Sequence, residues 1–370
     1  MIKRKLITMY KNLGGPSIGG KTVIIECDDW GSMGIPNVQV RERLLNLGFP
    51  LDKNRFQYVD SLENPEDMEA LYSVLNKFKD SEGKPPVFTL FCNTGNPDYS
   101  RIEMNGYQSY FSEPFSDAYK HLGYGAQMKK LWNQGLDEGL VSVEYHGREH
   151  LSFIPWMKAL QECNPIVKQG FKHRFYSVSK ANVPGFAQFY RPNYFIESQS
   201  EIPALAESLV DGLQEFTTYF GFSPTVFNAS NGVFVPELNQ ELIRAGVSCS
   251  AVPYSRLEWD SSTNSFIPVH RRFTLLCDGT MGYYVRNCNF EPGDPHYQSI
   301  QHVLDQIQGC FWAGTPAVIS THRANFVGGL DQNNRLRGLK ELEKLLSMII
   351  RRWPEVRFHS SAEFVNRIRS

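Results

Sequence analysis

TVIIECDDWG, residues 22–31, is the stretch on which the fold turns. Residues 22–27 form a short run rich in β-branched side chains, the composition of a strand. Asp28 and Asp29 stand at its end, ahead of Trp30 and Gly31. Residues 87–92 (VFTLFC) and 141–145 (VSVEY) read as strands of the same kind. Between the first two, Met68, Leu71, Leu75 and Phe78 fall at helical spacing behind Asn64 as an N-cap, which predicts a helix over 65–78. A second helix is expected over 124–138. Strand, helix, strand, helix is the order of a parallel sheet or barrel.

The rhythm continues outward. A helix is expected over 154–163, then a loop excursion rich in Gly, Pro and aromatics over 165–199, forming a wall of the site. Helices over 203–220 and 236–245 alternate with strands at 225–227 and 250–253. Residues 266–290 look different, because two alternating segments flank Asp278 and Gly279, a strong hairpin turn signal. The last strands are 317–321 and 356–359, joined by a helix with Leu336, Leu339, Leu342, Leu345, Leu346 and Ile349 on one stripe. The expected fold is α/β, a distorted (β/α) barrel of about seven strands with a β-hairpin insertion, within the usual length range of such barrels. Residues 22–370 would form that single domain, after a lead-in over 1–21.

Composition narrows the function classes. The 370 residues carry a formal charge of -1, with 41% hydrophobic and 21% charged residues. That excludes a disordered chain and gives no basic footprint for nucleic acid. No apolar run approaches the roughly 20 residues of a membrane span. After Lys3, Arg4 and Lys5 the apolar stretch 6–10 is broken by Thr8 and stopped by Lys11, so no export signal is read and a cytoplasmic protein is expected. Cysteines at 27, 92, 163, 249, 277, 288 and 310 are odd in number and widely spaced, which suggests reduced packing residues.

Two motifs mislead. Residues 15–22, GPSIGGKT, match the phosphate-loop pattern, but a phosphate loop must open a helix and Thr22 opens a strand. Residues 146–150, HGREH, match the inverted zinc-peptidase pattern, which belongs inside a helix. Here the motif follows a strand and contains Gly147, which weakens a helix by about 1 kcal/mol relative to Ala.

The remaining chemistry gathers at strand ends, the face where parallel barrels carry their sites. Adjacent Asp28 and Asp29 can divide roles, one holding a metal and the other taking a proton. The bland alternative is an Asx turn after a strand. His146 and His150 lie four apart, a spacing that lets two imidazoles share one ion. With Asp29 they offer two nitrogens and one oxygen, the pattern of a catalytic site for zinc or another divalent metal. His322 ends the strand AVISTH and is followed by Arg323 and Asn325. His121, His173, His270, His296, His302 and His359 show no such pairing.

A strand ending in DD and G, an HxxxH pair and a late strand ending in His resemble the metal-dependent polysaccharide deacetylases, from about residue 22 to the C-terminus. The resemblance implies removal of acetyl groups from an acetylated oligosaccharide or polysaccharide by water activated at a divalent metal, with Zn2+ the expected ion. It implies Asp28 as general base, Asp29, His146 and His150 as ligands, and His322 as general acid. A backbone N–H near Asn231 would hold the oxyanion, and Trp30, Asn228, Asn231 and Arg323 would contact substrate. Trp30, Tyr145, Trp156, Tyr190 and Tyr194 could stack on sugar rings. The chain departs from the family pattern at Gly147, where Ser or Thr is usual. It departs again at Asn228 in FNASNG, where an arginine orients the base, and Arg191 in YRPNYF is a rival match for that arginine. The zinc peptidase and a glycan-binding barrel without catalysis are the alternatives.

Overall fold

The computed structural model describes residues 2–178, 190–271 and 280–369. Its main sheet has nine strands, all parallel. Along it run Gly282–Val285, Cys249–Val252, Val226–Phe227, Val141–Gly147, Phe88–Asn93, Thr22–Trp30, Ala317–His322 and Cys288–Asn289, while Arg357–Phe358 also pairs with Thr22–Trp30. The two end strands are consecutive in the chain, separated only by Arg286 and Asn287. The Arg286 N–H donates to Val252 O at 2.9 Å on one side, and the Asn287 N–H to Val318 O at 3.1 Å on the other. The sheet therefore curls back on itself as a distorted (β/α) barrel.

Period-two alternation sorts the side chains of the first strand. Val23, Ile25 and Cys27 pack in the large cluster shared with the helices. Ile24 instead meets Phe91, Val226, Ala251, Tyr284 and Val318 inside the barrel. Both faces are buried, so the strand reads as a continuous apolar run. The first expected helix forms as Pro65–Leu75, where Asn64 and Asp67 make a reciprocal capping box. The long helix Gln332–Arg352 buries Leu339, Leu342, Leu345, Leu346 and Ile349, whereas Leu336 is exposed, since the core-facing stripe begins a turn later.

Four expectations are corrected. The stretch 165–199 opens with a helix, Pro165–Lys172, because Pro165 at its first position and the Asn164 side chain make a strong start signal. The hairpin insertion lies earlier than expected. Ser255–Asp260 and Ser265–His270 pair antiparallel, and the Asp260 side chain accepts from Ser262 N at 2.9 Å to make the turn. The GYYV run is buried throughout and enters the main sheet as a parallel strand, as its unbroken apolar character requires. The proposed turn at Asp278 and Gly279, like Cys277, lies outside the described residues. Thr22 does open a strand, and Lys21 pairs with Glu355. The residues before it are no bare lead-in, because Ile2–Asn12 is a helix packed on Ile300–Trp312. No helix among the described residues is long and apolar enough to cross a membrane.

Candidate active site

Alternation also sets up the site. Glu26 and Asp28 follow Ile24 on the inner face, and Asp28 lies in register with His322 on the neighbouring strand. His146 ends the strand on the far side of Phe88–Asn93. Regular strand geometry would turn Asp29 outward. It does not, because Asp29 adopts a left-handed backbone (φ 75) and the pairing register shifts between Cys27 and Trp30. Such a conformation costs about 1–3 kcal/mol away from glycine. It brings both aspartates to one cavity of about 280 Å³, lined also by Asn54, Phe56, His146, His150, Arg191, Asn231 and His322.

His146 and His150 are not on a helix. The strand carries His146 and ends at Gly147 (φ 114), and the following bend returns His150 to the same spot. Gly147 is required here, since a Cβ would sit 2.0 Å from the Asn193 amide nitrogen, which donates to His146 O at 2.8 Å. That explains the departure from Ser or Thr.

Asp29, His146 and His150 are buried and offer ligand atoms all within 4.8 Å of one another. Asp29 Oδ1 lies 3.3 Å from His146 Nε2 and 3.1 Å from His150 Nε2. His146 Nδ1 faces Asn228 O at 2.8 Å, and a carbonyl only accepts, so the hydrogen belongs on Nδ1. Burial pushes the His150 pKa down, toward the neutral ring. Asp29 Oδ1 is buried without a hydrogen-bond partner, and so is His150 Nδ1. A cation would take up the unpartnered Asp29 Oδ1, and the separations of 3.3 and 3.1 Å from it suit ligands about 2.0–2.1 Å from a tetrahedral ion. The three residues thus fit a divalent metal, and His146 has the outer carbonyl partner that fixes a ligating ring. Arg191 Nη2 stands 3.6 Å from the other Asp29 oxygen.

On the opposite wall the charges are paired with one another. Arg286 grips Asp28 with both nitrogens, at 2.6 and 2.9 Å, and Asn228 Nδ2 donates to the same carboxylate at 3.2 Å. Arg286 also reaches Glu26 at 2.8 Å. Burial works against the Asp28 charge, and Arg286 overrides it, holding the carboxyl below its ordinary range. His322 Nδ1 bonds Glu291 at 2.6 Å, with Asn325 Nδ2 donating to the second Glu291 oxygen, also at 2.6 Å. Burial again opposes charge, but Glu291, helped by Asp29 and Asp28, pushes the His322 pKa up to about 10. Glu291 thus favours the protonated ring, whose Nε2 points toward Asp28 at 3.8 Å.

Several residues singled out in the sequence fall elsewhere. Trp30 is fully buried against Trp132, and Tyr145, Trp156, Tyr190 and Tyr194 are buried too, so none offers a stacking face. Arg323 is also buried, bonded to Asp60 and Glu63, and its role is to pin the loop before residue 65. Glu149 bonds Arg148 at 2.6 Å and does not line the cavity, which leaves the peptidase reading without its base. Arg191 sits on Asp29, not Asp28. The residues that sequence reasoning missed are Arg286 and Glu291. Asn228 and Asn231 border a second cavity of about 480 Å³ that shares Asp28 and His322 with the first and adds Ser255, Asn287, Asn289 and Gln306.

No family model and no curated protein matches the chain. Solved structures with a similar fold include a 4-alpha-glucanotransferase from Thermococcus litoralis, with a TM-score of 0.46 and 9% identity over 94% of this chain. This chain spans 40% of that enzyme's length. An allantoinase superposes with a TM-score of 0.44 and 10% identity, over 98% of this chain and 95% of its own. The peptidoglycan deacetylase PdaC from Bacillus subtilis gives 0.38 and 10%, over 95% and 93%.

Proposed function

We propose that the chain is a metal-dependent hydrolase that removes acetyl groups from a glycan or amino sugar. The observation that carries this reading is that a buried Asp-His-His cluster, a carboxylate gripped by Arg286 and an imidazole hydrogen-bonded to Glu291 all border one cavity. When bound, a divalent ion, Zn2+ by its ligand set, supplies Lewis acidity and lowers the pKa of a water ligand toward about 7. Asp28, pinned by Arg286, orients the attacking water and accepts its proton. His322 holds its proton through Glu291 and delivers it to the departing amine or alcohol. Donors at the Asn231 turn, which borders both cavities, stabilise the developing oxyanion.

The larger cavity supports a polyhydroxylated substrate, since amide and hydroxyl side chains make up half of its lining residues. With no aromatic platform among its lining residues, recognition there rests on hydrogen bonds. Against the non-catalytic alternative, Arg286, in the link between two strands, stands where an arginine would orient the base. Metal analysis of purified protein, followed by acetate release from acetylated oligosaccharides, tests the proposal. One ion per chain with metal-dependent acetate release supports it. Stoichiometric metal without release from any acetylated sugar removes the deacetylase assignment.

A further inference from the structure

The helix Ile2–Asn12 is turned against the usual amphipathic rule. It buries Thr8 and Asn12 and presents Ile2, Leu6, Tyr10 and, just beyond its end, Leu13 to solvent. Those four are 70%, 46%, 68% and 48% exposed, at a spacing that keeps them on one face. Trp312, 47% exposed, lies alongside, with Lys5 Nζ 5.9 Å from its ring centre.

This orientation is fixed by packing. A Cβ at Gly309 would meet Lys5 O and the Thr8 side chain at 2.6 Å, so the two helices touch backbone to backbone. Lys5 pairs with Asp305 at 3.5 Å, and Arg4 donates to Gln298 at 3.0 Å. The stripe is therefore held outward by contacts on the opposite side.

We infer that this helix docks the protein on an anionic membrane surface. Its charged residues are all cations: Arg4 and Lys5 turn to the buried Asp305 at 3.9 and 3.5 Å, which leaves Lys3 and Lys11 exposed beside the stripe. A stripe of apolar and aromatic residues edged by cations is the pattern of a helix lying in the headgroup region without spanning the bilayer. Tyr10 and Trp312 add the amphipathic rings that such an interface favours. Pairing with a second copy would bring Lys3 and Lys11 of both copies together, whereas anionic headgroups complement them. Asn12 accepts from Asn287 Nδ2 at 2.9 Å, and Asn287 borders the larger cavity, so the docked helix lies next to the proposed substrate pocket.

Co-sedimentation of the full chain with vesicles of three parts phosphatidylcholine to one part phosphatidylglycerol tests the inference without any substrate. The wild type should bind, and salt of about 1 M, where charges are screened beyond about 3 Å, should release it. Leu6→Glu with Tyr10→Glu should lower the bound fraction at least about tenfold, as loss of two buried apolar contacts implies. Both side chains are exposed, so thermal melting and hydrolysis in solution should match the wild type. No binding by the wild type, or equal binding by the variant, overturns the inference. A wild-type dimer in the ultracentrifuge that the variant returns to monomer also overturns it, reassigning the stripe to a second copy.

Discussion

The two walls of the cavity use similar residues to opposite ends. On the Asp28 wall every charge meets its opposite at hydrogen-bond distance, Asp28 with Arg286 and His322 with Glu291. On the Asp29 wall a carboxylate oxygen faces two imidazole nitrogens and has no hydrogen-bond partner. The first wall is complete as folded and holds protons in defined places. The second keeps an unpartnered carboxylate oxygen that a cation would satisfy. What separates them is a single left-handed residue, Asp29, which turns a neighbour that should point away into the same cavity.

That comparison breaks most sharply at a ligand. His146→Ala should lower metal affinity by more than about 10²-fold and take hydrolysis with it, as loss of even an outer partner costs about 10- to 100-fold. Full metal occupancy in that variant would place the ion elsewhere. Next comes the paired wall, where Asp28→Asn should reduce turnover by about 10² to 10⁴, the usual share of a general base. Unchanged turnover would remove Asp28 from the chemistry.

A smaller effect sharpens the role of His322. Its pKa is raised to about 10 chiefly by Glu291, against burial. The pairing therefore stabilises the fold fully below the unfolded value of about 6.5 and loses that contribution as pH rises toward 10. In Glu291→Gln burial prevails, so the alkaline limb of the rate profile should move to lower pH and the stability difference from wild type should shrink above pH 10. A profile that keeps its alkaline limb would show that another group supplies the proton. At the bottom of the scale, Lys21→Ala should change neither rate nor metal content, since Lys21 reaches only Glu355. Saturable ATP binding abolished by that substitution would revive the phosphate loop.

The comparison also explains what the sequence made legible. Asp28, His146 and His322 were readable because each ends an apolar strand, and the strand period then carries them to one mouth. The ligand set was readable by residue type, although the bend after Gly147, and not a helical turn, returns His150 to it. Arg286 was hidden by its separation from Asp28, 258 positions along the chain, and by a turn signal that assigned its surroundings to a hairpin. The missed clue was an unbroken GYYV run with a charged residue at its end, the same arrangement as at Asp28. Trp30 and Arg323 misled for a related reason. They adjoin site residues in sequence, but both side chains are fully buried and leave the cavity to their neighbours.

The central claim is that the strained turn at Asp29 divides two adjacent aspartates into ligand and base. Metal content measured side by side in purified Asp28→Asn and Asp29→Asn tests it most directly. The account predicts one ion per chain retained in Asp28→Asn and metal lost from Asp29→Asn. Metal lost from Asp28→Asn and retained in Asp29→Asn would contradict it.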